Sequence, residues 1–145
     1  MSFSDYDLVR KLDEMQREID ALKIRETPFP VWTAWTPTPT GWSGTPTLDC
    51  RRLVIGEGVW FRVYASGTSN LTTATLTLPF TAANVFGWGG ACNYVLDAGT
   101  APATPARWTI DYGSGSIVFY KTFAGAGWTA SGNKLIMANG FFQIP

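Results

Sequence analysis

Histidine is absent from the sequence, which removes the side chain most used near neutral pH as a general base and as a metal ligand. Cysteine occurs only as Cys50 and Cys92. Two lone cysteines in a chain that opens MSFSDYDLVRKLDE, without the apolar stretch of a secretion signal, read as free, buried thiols, although an oxidising compartment would let them pair. No run approaches the roughly 18 apolar residues of a membrane span, so no membrane insertion is expected. Charge is scarce beyond residue 26. Residues 1–26 hold seven acids and five bases, and residues 27–145 hold four acids and six bases. The formal net charge of zero therefore conceals two regions of different character, and neither carries the basic patch that nucleic-acid binding requires.

What the chain does have, after residue 26, is Thr, Gly, Pro and all seven of its tryptophans. That is the composition of strands and turns. A length of 145 residues accommodates one domain of ordinary size plus an appendage. Three segments follow from the composition: an N-terminal helix over 1–26, a Trp/Thr/Pro-rich junction over 27–47, and a β head over 48–145.

In the first segment Leu8, Leu12, Met15, Ile19 and Leu22 step by four, three, four and three. The mean spacing of 3.5 is that of a coiled-coil seam, with Leu12 and Ile19 at a and the others at d. Ser4 is a suitable N-cap, and Pro28 pushes Thr27 out of the helical region. Arg10–Glu14 and Asp13–Arg17 can pair one turn apart, and Glu18 and Lys23 occupy g and e. A helix packed on its own domain usually shows a wider apolar face than this stripe, so the segment reads as an oligomerisation helix. By themselves, the residues at a and d lean towards dimers.

The remainder reads as short strands. In LTTATLTLPF (71–80) Ala74, Leu76, Leu78 and Phe80 alternate with Thr73, Thr75 and Thr77, the period of a half-buried strand. Val59, Phe61 and Val63 alternate with Trp60, Arg62 and Tyr64. That strand is apolar or aromatic on both faces, which suits cover from both sides, including cover by another subunit. Further strands are expected over 31–36, 48–55, 91–97, 107–112, 116–120, 134–138 and 141–144. Gly56-Glu57-Gly58, Gly113-Ser114-Gly115 and Asn139-Gly140 supply turns, the last a two-residue hairpin signal. The fold class expected is mainly β, a sandwich or barrel preceded by a short coiled-coil helix.

Candidate chemistry is sparse. Asp49, Glu57, Asp97 and Asp111 are scattered acids. A glycosidase needs two of them to converge, whereas Glu57 falls in a turn and Asp111 alternates outward. FGWGGACN (86–93) has no Lys and opens no helix, so it is not a phosphate cradle. No catalytic residue, cofactor or metal site is expected. Trp88 and Trp128, each flanked by glycines, and Tyr112 beside the GSG turn are candidate ligand contacts by stacking, with core packing as the competing role. The junction tryptophans Trp32, Trp35 and Trp42 pose the same choice between a sugar platform and packing.

TPTPTGWSGTPT (36–47), VWFRVYASGTSNLTTATLTLPFTAAN (59–84) and GNKLIMANGFFQIP (132–145), placed behind a short coiled coil, resemble the trimeric fibre-head and receptor-binding modules of bacteriophage virions. The resemblance implies a jelly-roll sandwich of the tumour-necrosis-factor-like class and a homotrimer joined through Leu8, Leu12, Met15, Ile19 and Leu22. It also implies assembly in the host cytoplasm, attachment to another virion structural protein through the N-terminal segment, and a head that meets a host surface glycan or protein. Within that class, a tail fibre or spike and a capsid-bound head fibre both fit. Outside it stand a small glycan hydrolase and a secreted lectin-like module.

Overall fold

The computed structural model describes residues 5–25 and 30–145, with side chains over 7–19 and from 30 onward. The chain divides into two units, Met1–Pro30 and Val31–Pro145. In the first, Asp5–Arg25 form helix α1, about 30 Å long at 1.5 Å per residue. Arg10 and Glu14 approach to 4.0 Å one turn apart, both well exposed, a pair worth a few tenths of a kcal/mol at most. The cap at Ser4, the stop at Pro28 and the side chain of Leu22 lie outside the described residues.

Among the described residues the second unit has ten strands: β1 (Thr33–Ala34), β2 (Pro39–Thr40), β3 (Trp42–Ile55), β4 (Gly58–Ser69), β5 (Thr75–Thr77), β6 (Trp88–Ala91), β7 (Tyr94–Leu96), β8 (Arg107–Ile110), β9 (Ser116–Tyr120) and β10 (Asn133–Gln143). They form two five-stranded sheets, ordered β1-β3-β4-β10-β7 and β2-β5-β9-β8-β6, and every pairing is antiparallel. The pairings β4–β10, β5–β9 and β8–β6 nest inside one another, as in a long hairpin folded over on itself. The described residues are therefore mainly β, with two antiparallel sheets and one short helix.

Alternation decides which side chains enter the core. In β4, Val59, Phe61, Val63 and Ala65 are buried, and in β10 Ile136, Ala138 and Phe142 join them. From the other sheet come Leu76, Trp108, Ile110, Ile117 and Phe119. Phe61 meets Trp108 edge-on with ring centroids 5.0 Å apart, which ties the sheets together. Each fully buried side chain of this size contributes about 1.5–3 kcal/mol before ordering costs.

Three expectations change here. First, Asn139-Gly140 is no hairpin turn. β10 runs straight through it, with Asn139 opposite Arg62 and Gly140 opposite Phe61. A Cβ on Gly140 would collide with the Trp108 ring and lie 2.7 Å from Phe61, so the glycine marks a close ring approach within a strand. Second, the strand expected over 71–80 narrows to Thr75–Thr77, although Ala74 and Leu76 keep the inward face. Third, residues 31–47 do not stand apart as a junction. They supply β1, β2 and the start of β3, and Trp42 and Trp35 pack in or against the core.

Candidate functional site

The two tryptophans expected to offer open rings are core residues. Trp128 is only 2% exposed. Its Nε1 donates to the Phe119 carbonyl at 2.8 Å and its backbone N–H to the Thr72 carbonyl at 2.8 Å. The glycines beside it do the opposite of what the flanking pattern suggested. Gly127 packs directly on the Thr72 carbonyl, where a Cβ would sit at 3.1 Å, so the loop folds inward. Trp88 is 8% exposed, because its pairing with Ile110 places it on the core face, against Phe86 and Phe142. Tyr112 is 67% exposed. It follows β8 in the loop that Gly113 ties to the Ala83 carbonyl, near Val85 and Phe86, which are also exposed. The structure therefore does not bring these three residues together as one ligand surface.

The loops sort into two ends. Pairing of Thr33 with Arg52 shows that the chain enters this unit beside the C-terminal half of β3. The β3–β4 turn and the loop holding Tyr112 share that end. Pairing of Trp42 with Ser69, Arg107 with Tyr120 and Leu96 with Leu135 puts the 70–74, 97–106 and 121–132 loops at the other.

That far end is held by two charged residues whose roles the sequence did not reveal. Lys134 is fully buried. Its Nζ donates to the carbonyls of Gly41 (2.8 Å), Leu71 (3.2 Å) and Thr73 (3.2 Å), and it lies 5.1 Å and 5.6 Å from the centroids of Trp42 and Trp128. Burial pulls its pKa down to about 8, partly opposed by the Asp97 carboxylate. Gly41 can sit against Thr73 because it has no side chain and holds φ at +99°. The sequence signal was the inward alternation Lys134, Ile136, Ala138, which places a cation where a hydrophobe belongs. Asp97 accepts from the Thr129 N–H (2.8 Å), the Thr129 hydroxyl (2.9 Å) and Lys121 Nζ (3.1 Å). Burial acts to raise its pKa, but the hydrogen bonds from Thr129 and Lys121 outweigh burial and hold the carboxyl below its ordinary value.

Among the described residues no three of His, Cys, Asp and Glu come together as a metal site. Asp49 pairs with Arg51 at 3.0 Å, and Asp97 with Lys121 at 3.1 Å. Cys50 and Cys92 are free, and burial pushes both thiols up to about 12, which leaves them weak nucleophiles. No described helix is long and apolar enough to cross a membrane.

A hollow of about 600 Å³ opens on the outer face of the β1-β3-β4-β10-β7 sheet, lined by Thr47, Asp49, Arg62, Tyr64, Asn93 and Met137 among others. Comparison with protein-family models, with curated proteins and with solved structures yields no match.

Proposed function

We propose that this chain is a structural, non-enzymatic component of a bacteriophage particle: a short trimeric tail fibre or spike whose helix assembles and docks it. Its β unit, a jelly-roll sandwich of the tumour-necrosis-factor-like kind, presents the far loops to a host surface glycan or protein. One observation carries the reading. In the single chain the a/d stripe is open to solvent, with Leu8, Leu12, Met15 and Ile19 between 43% and 57% exposed. A lone helix of 21 residues is marginal in water, and a narrow apolar stripe between charged flanks finds its cover in other copies of itself. The nested pairing of the strands supports the jelly-roll part.

The outward surface in this reading is the 70–74, 97–106 and 121–132 loops, because loops held by a rigid scaffold usually carry recognition and these lie opposite the point where the chain enters. Tyr112, at the entering end, loses its role as a contact residue. Immunogold labelling of purified virus particles with antibody against the β unit tests the reading. Label at a fixed site on the particles supports it, and particles without the chain refute it.

A further inference from the structure

Strand register puts an unusual set of side chains in rows across the outer face of the first sheet. Leu53, Trp60 and Phe141 form one row, Arg51, Arg62 and Asn139 the next, and Asp49, Tyr64, Met137 and Tyr94 the third. Trp60 is 38% exposed, Met137 39% and Tyr94 48%. The Trp60 and Phe141 rings lie 4.8 Å apart. A Cβ on Gly58 would come within 3.0 Å of both rings, so that glycine lets them lie down on the sheet. Aromatics and Met concentrated on one sheet face are typical of the buried centre of a protein interface, and sheets in water ordinarily keep such a face polar.

The charges on this face are incomplete in the single chain. Arg51 and Arg62 are direct cross-strand partners, an arrangement that is destabilising on its own. Asp49 answers Arg51. Arg62 has no carboxylate partner among the described residues and lies over the Trp32 ring at 5.5 Å. Asp49 and Arg62 both line the hollow, so the face offers an acid and a base without a carboxylate partner together. An acid and a base side by side on one face let each copy offer its base to the acid of the next, the head-to-tail contact that closes a ring of identical subunits.

We infer that copies of this chain pack through this outer face, centred on Trp60, Tyr64 and Phe141, with Arg62 of one copy pairing with Asp49 of the next. The inference rests on the self-assembling reading above and gives the β unit its own part in assembly, separate from the helix.

Charge exchange in the full chain tests it. Arg62→Asp and Asp49→Arg alter exposed side chains, so both variants should keep the circular-dichroism spectrum of the parent. Each should move the concentration at which the oligomer dissociates upward by about tenfold or more, and the double variant should return it to near the parent value. Trp60→Ser should raise it without rescue by any charge change. An oligomer whose dissociation is unaffected by all three single changes overturns the inference while leaving the helix-driven assembly standing. Single variants that dissociate but are not restored in the double overturn it too. A parent chain that is monomeric at every concentration instead removes the assembly reading on which it rests.

Discussion

Lys134 is the only charged side chain among the described residues with no exposed surface, and its three carbonyl partners bridge the β2–β3 bend to the loop after β4. Lys134→Met keeps the length and removes the donors. The Gly41 carbonyl keeps the Asn70 N–H as a donor, whereas those of Leu71 and Thr73 lose their bond to Lys134; a buried carbonyl left unpaired costs about 1–3 kcal/mol, so a loss of about 3 kcal/mol in urea denaturation is expected. The same residue sets a pH dependence. Its pKa is about 8 in the fold against an ordinary 10.5, so above about pH 8 the unfolded chain holds a proton that the folded chain has released. Stability therefore rises with pH there. The thiols act oppositely. Cys50 and Cys92 ionise near 9.0 when unfolded and near 12 when folded, so above about pH 9 the folded chain holds two protons that the unfolded chain has lost. The expected profile is a shallow rise from pH 8 to 9, then a fall. Cys50→Ala with Cys92→Ala should abolish the fall, and Lys134→Met the rise, as read from denaturation midpoints across pH.

At the same scale, Trp128→Ala and Trp88→Ala should each cost about 3–5 kcal/mol, as large core truncations do. Thermal melting checks this, and an unchanged melting temperature would restore their role as surface contacts. The flanking glycines were legible in the sequence, but what they implied was not. A glycine beside a ring can expose the ring or let the chain fold over it, and only the partners, the Phe119 and Thr72 carbonyls, decide between the two.

Among the elements, the alternating strands were the most readable. The inward set Val59, Phe61, Val63 and the inward pair Ala74 and Leu76 follow directly from a period of two. Asn139-Gly140 misled, because the dipeptide that favours a two-residue hairpin also suits a strand interior where a ring from the facing sheet needs the space. Gly140→Ala distinguishes the two. A hairpin turn would lose only its conformational preference, whereas a methyl thrust against Trp108 and Phe61 should cost about 1–3 kcal/mol or more through overpacking, measured by chemical denaturation. Of the two short strands in the proline-rich segment, β1 falls within the strand expected over 31–36, whereas β2 was hidden. Their pairing depends on residues far away in sequence, Arg52 with Thr33 and Leu76 with Pro39, which no local pattern reports. Helix α1 was plain from its 3.5-residue spacing. Under the proposed assembly, Ile19→Asp would place a charge in the seam of every copy, where burial of an unpaired carboxylate costs several kcal/mol. Oligomer mass should fall on dilution while the strand signal in circular dichroism persists.

For the whole molecule, the candidate site was only partly visible in advance. The double-sided character of Val59–Tyr64 pointed to cover from a neighbour, yet the row that joins Trp60 to Phe141, and the neighbouring rows that hold Arg62 and Asp49, exist only once β3, β4 and β10 are in register. In the proposed assembly the helix stripe and the outer sheet face are both covered by the same event, association of identical copies. The measurement closest to this claim is the solution mass of the full chain by light scattering at micromolar concentration. The account predicts three times the 15.8 kDa of the single chain, and a particle of 15.8 kDa would contradict it.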